Sequence, residues 1–350
     1  MIDAVRNPLE LVYLRDHFAG LFVVAVTVDD DVRRERLVQA GLKVGEIKAL
    51  DDKEYGKSKH LDSYASFVSQ SLMECMQKAD IFVENPGKPE QKEISIRRLN
   101  AQLVRYVMLC VRPGLVTPTQ DERCMQAAFV AKLNSGCISR QVGAAVADGS
   151  HSIQSIGWND VPKGQVPCLL RDVDSLLSGQ EDDDFSAYEQ TQMPFRELLK
   201  ANFVGRQALR GRTGLRCPFC FKDAYNELEK EKNQVHTRSL HAEENAFLQL
   251  AGRGANIVKG YLYTTASPCE LCSKKAFQLG IQEIIYVDPY PGISSSHILS
   301  SGAKDLRPRL RLFSGAIGAA YHRLYEALLP IKDEYRGRLE KEPQQTLFAS

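Results

Sequence analysis

A continuous apolar run, Leu21-Phe-Val-Val-Ala-Val-Thr-Val28, opens the patterned part of the chain and reads as a buried parallel strand. Residues 29–39 follow with acidic side chains first and basic ones later, the order that suits a helix dipole. Gly41 stands where such a helix stops. Residues 62–78 carry a helical pattern, and residues 79–85 read as a short strand broken by Pro86-Gly87-Lys88-Pro89. This alternation predicts a small α/β unit with a parallel sheet. A helix over about 93–111 runs up to Pro113-Gly114, which with Pro118 marks a domain boundary. The predicted domains are 1–112 and 113–350.

Past that boundary, Thr119-Gln-Asp-Glu122 is a capping box opening a helix that continues to about Asn134. Residues 142–147 and 152–157 read as two strands joined by the turn Asp148-Gly149-Ser150. The long stretch 169–235 is polar and reads as irregular, with Glu181-Asp182-Asp183-Asp184 as a solvated acidic loop. Regular patterning resumes with a helix at His241, a strand over 260–264, a helix opening at Pro268-Cys269 and a strand over 283–287. No internal repeat is visible.

Composition narrows the class. The chain has 350 residues, room for two ordinary domains, with 43% hydrophobic and 25% charged residues, as in globular proteins. No apolar run is long enough to cross a bilayer, so no membrane association is expected. Met1-Ile-Asp-Ala-Val-Arg6 lacks the layout of a signal peptide, which makes the cytoplasm the default location. The formal net charge is +1, without the basic excess of a protein that tracks a polynucleotide. Nine cysteines are present, four of them in two C-x-x-C pairs, which in a reducing compartment read as metal ligands. Cys75, Cys110 and Cys124 lie in apolar, helical surroundings and are expected to be buried.

His241-Ala-Glu243 followed by Pro268-Cys269-Glu-Leu-Cys272 carries the chemistry. One histidine and two cysteines can hold a zinc ion and leave its fourth position open. His241 is expected in the first turn of its helix, with Cys269 and Cys272 on one face at the start of another. Glu243 is then placed to move protons at a metal-activated water. A closed structural zinc knuckle would need neither that glutamate nor Pro268. This H-x-E … P-C-x-x-C arrangement is the signature of zinc-dependent nucleobase deaminases.

From about 119 to 290 the chain resembles the deoxycytidylate deaminase branch of the cytidine deaminase superfamily. The matching segments are Cys137-Ile-Ser-Arg-Gln-Val-Gly-Ala-Ala-Val146, Gly157-Trp-Asn-Asp-Val-Pro162, His241-Ala-Glu-Glu-Asn-Ala246 and Ser267-Pro-Cys-Glu-Leu-Cys272. The resemblance implies a three-layer α/β/α sandwich around a five-stranded mixed sheet. It implies that Asn159 contacts the sugar hydroxyl, that the backbone at Ala242 reads the pyrimidine carbonyl, and that the Ser267-Pro-Cys turn faces the amino group. Over nearly the whole length, with Asp288-Pro-Tyr-Pro-Gly-Ile-Ser and Gly315-Ala-Ile-Gly-Ala-Ala-Tyr321, the chain resembles bacterial anti-phage dCTP deaminases. Those convert dCTP and dCMP to uracil nucleotides and carry a smaller, P-loop-kinase-like α/β domain in front. Here the kinase-like part lacks a P-loop. Gly56-Lys57-Ser58 is preceded by Asp51 where the first glycine would stand, and reads as a surface turn.

The resemblance also implies a second, structural zinc. Two of its ligands fall at Cys137 and Cys168, and Cys217 and Cys220 complete a Cys₄ set, with His236 a competing fourth ligand. Arg140 and Tyr290 are candidates for the sugar–phosphate, and Arg238 stands just ahead of the metal-binding helix, where anions bind. A homo-oligomer is implied, and an inhibitory RNA or protein partner is left open. Free deoxycytidine nucleotides are the expected substrates. The alternatives are single-stranded DNA or RNA cytidine deamination, and a non-catalytic nucleotide sensor.

Overall fold

The structure, a computed structural model, describes residues 2–54, 70–85, 92–179, 183–255, 257, 259–287 and 297–341. The chain divides into two compact units, Met1–Arg123 with Leu312–Ser350, and Cys124–Arg311. Gly56-Lys57-Ser58, Glu181 and Asp182 of the acidic loop, and Tyr290 fall outside the described residues.

The first unit begins with α1 (Pro8–His17), β1 (Val24–Thr27), α2 (Asp30–Gln39), α3 (Val44–Glu54), α4 (Leu72–Gln77), β2 (Ile81–Glu84) and α5 (Lys92–Val111). As the alternation predicts, β1 and β2 pair in parallel, with Val24 opposite Ile81 and Thr27 opposite Glu84. Asp80, just before β2, fixes this register by accepting hydrogen bonds from the Val23 amide at 2.8 Å and from Arg15 at 2.7 Å. Cys75 and Cys124 are buried, but Cys110 is exposed, against expectation. The buried positions on α5 include Ser95, Tyr106 and Leu109, and Cys110 points away from that face.

The next helix, α6 (Gln120–Ala131), contains the point of division, so the first unit extends past the Pro113-Gly114 boundary expected from sequence. In the second unit, β3 (Gly143–Ala147) is buried throughout and pairs antiparallel with β4 (Ile153–Trp158). The segment expected to be irregular is instead helical, with α7 (Val173–Leu177), α8 (Ala187–Thr191), α9 (Met193–Thr213) and α10 (Phe221–Glu229). It has its own core, in which Val173, Leu176, Phe185, Phe195, Leu199 and Phe219 pack together. Inside it Arg171 and Glu189 form a fully buried ion pair, the guanidinium lying 4.8 and 4.7 Å from the rings of Phe185 and Phe219. The many charged residues between these apolar positions mask the helical periodicity.

The chain continues with α11 (Ala242–Gly252), β5 (Tyr261–Thr264), α12 (Glu270–Gln278), β6 (Glu283–Tyr286) and β7 (Arg309–Leu312). The sheet is five-stranded in the order β4-β3-β5-β6-β7. It is mixed, β3–β5 being antiparallel and β5–β6 parallel, as the α/β reading expects. Ala144 and Val146 of β3, Leu262 of β5, Ile284 of β6, Ala246, Phe247 and Leu250 of α11 and Ala276 of α12 form one core.

The remaining elements, β8 (Gly315–Ala316), α13 (Ala319–Tyr325) and α14 (Ile331–Lys341), return to the first unit. β8 pairs antiparallel with β2 and gives the sheet order β1-β2-β8. Glu122, fully buried, closes this unit. Its carboxylate accepts from the Ala316 amide at 2.9 Å, the Tyr325 hydroxyl at 2.5 Å, the Tyr106 hydroxyl at 3.0 Å and the Thr119 amide at 2.8 Å. The last bond is the predicted capping box, seen also in the reciprocal 3.2 Å bond from the Glu122 amide to the Thr119 hydroxyl. Among the described residues no helix is long and apolar enough to cross a membrane.

Candidate active site

Two helix starts face one another. His241 is the N-cap of α11, one position earlier than expected, and Cys269 is the N-cap of α12 with Cys272 in its first turn. Although 28 residues separate His241 from Cys269, the Cys269 and Cys272 sulfurs lie 3.3 and 3.5 Å from His241 Nδ1. All three ligand atoms fall within 4.8 Å of one another. Zn–N and Zn–S bonds of about 2.1 and 2.3 Å at a tetrahedral angle place nitrogen and sulfur about 3.5 Å apart, so the donor set fits zinc.

The electrostatics agree with a cation site. Cys269 is drawn down to about 4, chiefly by the hydrogen bond from Cys272, while Cys272 is pushed up by the same contact and by burial. The hydrogen bond with Cys269, then its charge and those of Glu243 and Glu244, raise the His241 imidazole against the effect of burial.

Glu243 sits beside this cluster and is only 4% exposed. Burial pushes its carboxyl above the usual range. Its Oε1 accepts a hydrogen bond from the Thr264 hydroxyl at 3.1 Å, and Thr264 is itself fully buried at the end of β5. A buried carboxyl held at one oxygen and raised in proton affinity suits proton transfer near neutrality. Glycine at 157 makes this placement possible. A Cβ there would come within 2.3 Å of the Ala242 carbonyl and 2.5 Å of the Ala246 amide, so α11 lies directly on β4. Asn245 adds a 3.0 Å bond from its amide nitrogen to the Trp158 carbonyl.

Ala242 is fully buried at the start of α11, and Ser267 lies in the turn between β5 and α12. Asn159 is 8% exposed and spends its side chain on backbone, accepting from the Val142 amide at 2.6 Å and donating to the Arg140 carbonyl at 2.8 Å. It therefore shapes the loop before β3, a role the sequence did not suggest. Arg238 donates to Gln165 Oε1 at 3.3 Å and to the Val166 carbonyl at 3.4 Å.

The cysteines read as a second zinc set are not gathered as closely as the first set. Among the described residues, His241, Cys269 and Cys272 are the only group of three or more potential ligands gathered within 4.8 Å, although Cys137, Cys168, Cys217 and Cys220 are all described. Backbone hydrogen bonds run beside these cysteines. The Leu169 amide, next to Cys168, bonds the Gly136 carbonyl at 3.0 Å, and the Cys217 carbonyl accepts from the Val173 amide at 3.0 Å. Burial pushes the Cys220 thiol up to about 12, unlike the Cys269 thiol. His236 packs 4.6 Å from the Tyr225 ring.

Part of the chain resembles known proteins. Residues 118–288 match the family described as cytidine and deoxycytidylate deaminase zinc-binding region. The deoxycytidylate deaminase of Enterobacteria phage T2 is 29% identical over 171 residues, 47% of this chain and 78% of the relative. That of phage T4 is 28% identical over the same share of this chain and 76% of its own. The Schizosaccharomyces pombe deoxycytidylate deaminase is 28% identical over 51% of this chain but only 40% of its own length. A solved structure of the cyanophage S-TIM5 dCMP deaminase, in complex with dCMP and dUMP, aligns over 57% of this chain and 99% of its own, with 22% identity and a TM-score of 0.34.

Proposed function

We propose that this chain is a zinc-dependent hydrolase that deaminates free deoxycytidine nucleotides. The observation that carries this reading is the convergence of His241, Cys269 and Cys272 beside the buried Glu243 carboxyl. The named relatives, all deoxycytidylate deaminases, support the substrate class. Zinc held by these three ligands supplies Lewis acidity that makes water nucleophilic at neutral pH.

The chain's own residues then do the rest. Glu243 takes a proton from water as the oxygen bonds to C4 of the cytosine ring, and passes it to ring N3. The new C4 hydroxyl then gives its proton through the same carboxylate to the amino group, the C4–N bond breaks, and ammonia leaves a uracil nucleotide. Thr264 fixes one carboxylate oxygen so that the other serves the transfer. The Ala242 backbone and Ser267 orient the base, and Asn159, Arg140 and Tyr290 the sugar–phosphate. The near-neutral chain favours free nucleotides over a polynucleotide. Both dCTP and dCMP are taken as substrates, and depletion of dCTP would serve defence against phage.

The test is a panel of dCTP, dCMP and a cytosine-containing oligonucleotide, incubated with protein of measured zinc content. Ammonia release from dCTP and dCMP is expected. Deamination of the oligonucleotide alone would replace this reading with a polynucleotide deaminase, and no deamination at all with a nucleotide sensor.

A further inference from the structure

The two helices that deliver the ligands are joined by an ion pair as well as by the core beneath them. Glu244, the third residue of α11, accepts the His241 backbone N–H on Oε2 at 3.4 Å. Its other oxygen, Oε1, is paired with the ammonium of Lys275 on α12. Lys275 stands three residues after Cys272, on the helix that carries both sulfurs. One carboxylate therefore grips the histidine's own backbone and the cysteine-bearing helix at once.

Such a grip matters because His241 comes from α11 and both sulfurs from α12, so the spacing of the three ligands depends on how the two helix starts are held. We infer that Glu244 and Lys275 are positioning residues whose clasp sets the spacing between His241 and the Cys269–Cys272 pair, and thereby the affinity of the centre for zinc. This rests on the reading of the three ligands as a zinc site. The side chains are 28% and 43% exposed, so the pair adds little to folding stability. Groups that orient metal ligands from outside nevertheless change metal affinity about 10- to 100-fold when removed.

The experiment measures zinc affinity of the full chain by competition with a chromophoric chelator, together with the absorption of the cobalt(II)-substituted protein and the melting temperature of the metal-free form. Lys275→Met and Glu244→Gln each break the ion pair, and each should weaken zinc binding about tenfold. The double variant should bind no more weakly than either single one, because one coupling is lost in all three. Glu244→Ala, which also loses the bond to the His241 amide, should bind more weakly than Glu244→Gln. Lys275→Arg should restore the parent affinity and cobalt spectrum. Metal-free melting should not move. Parent-like affinities in the single variants, additive losses in the double variant, or losses matched by lower metal-free melting would each overturn the clasp and leave the zinc site standing. A parent protein that binds no zinc would overturn both.

Discussion

At the level of single residues, the candidate metal ligands were legible because the motif's spacing is restrictive. What surrounds them was not. Thr264 lies 21 positions from the carboxylate it holds and is an ordinary strand threonine by sequence. Asn159 was read only as a sugar contact, and its sequence context gave no sign that its carboxamide also braces the backbone at 140 and 142. Two substitutions separate the roles around Glu243. Glu243→Gln should retain full zinc content by atomic absorption while kcat falls at least about 10²-fold, the lower end of what a general acid–base contributes. Thr264→Val, which removes one hydrogen bond of about 1 kcal/mol, should lower kcat only about fivefold with zinc unchanged. The cysteines offer a further check. Burial holds the Cys75 thiol up at about 11, whereas Cys110 is exposed. Alkylation at pH 8 followed by peptide mass mapping should find Cys110 modified well before Cys75.

At the level of elements, the strands were recovered in place, although Val24 and Val26 of β1, in the run read as buried, are exposed. The parallel β1–β2 pair and the strands flanking the site appear close to where the pattern put them. The region 169–235 was misread because its core residues are aromatic and widely spaced, so charged neighbours dominate any short window. Phe195, Leu199 and Phe203 lie one turn apart on α9, but only packing against Phe185 and Phe219 reveals a purpose for them. Position 157 shows how element packing reaches the chemistry. Gly157→Ala would drive a methyl group into the α11 backbone at Ala242 and Ala246, where no side-chain rotation relieves it. The helix start must shift, and zinc affinity should fall along with thermal stability, the latter by about 1–3 kcal/mol as for other overpacked sites. Parent-like chelator competition and melting in this variant would contradict the packing argument.

For the whole molecule, the sequence suggested two domains in series, and the boundary at Pro113-Gly114 followed from local breakers. It could not show that residues after 311 belong with the first unit, because β8 is only two residues long and its partner β2 lies more than two hundred positions earlier. Glu122 is the buried charge on which that closure depends. Glu122→Ala would leave two tyrosine hydroxyls and the Ala316 amide without their acceptor. A loss of about 3 kcal/mol or more is expected, at 1–3 kcal/mol for each orphaned buried group. Limited proteolysis should then cut near 312–330 first, before any cut in the second unit.

That late return has a consequence for biosynthesis. Domains commonly fold in order as they leave the ribosome. Here β2 must wait, with one flank unpaired, until the intervening 188 residues of Cys124–Arg311 and then β8 have been translated. The nascent chain can therefore complete the unit that holds the candidate metal site before the segment made first has acquired its last strand.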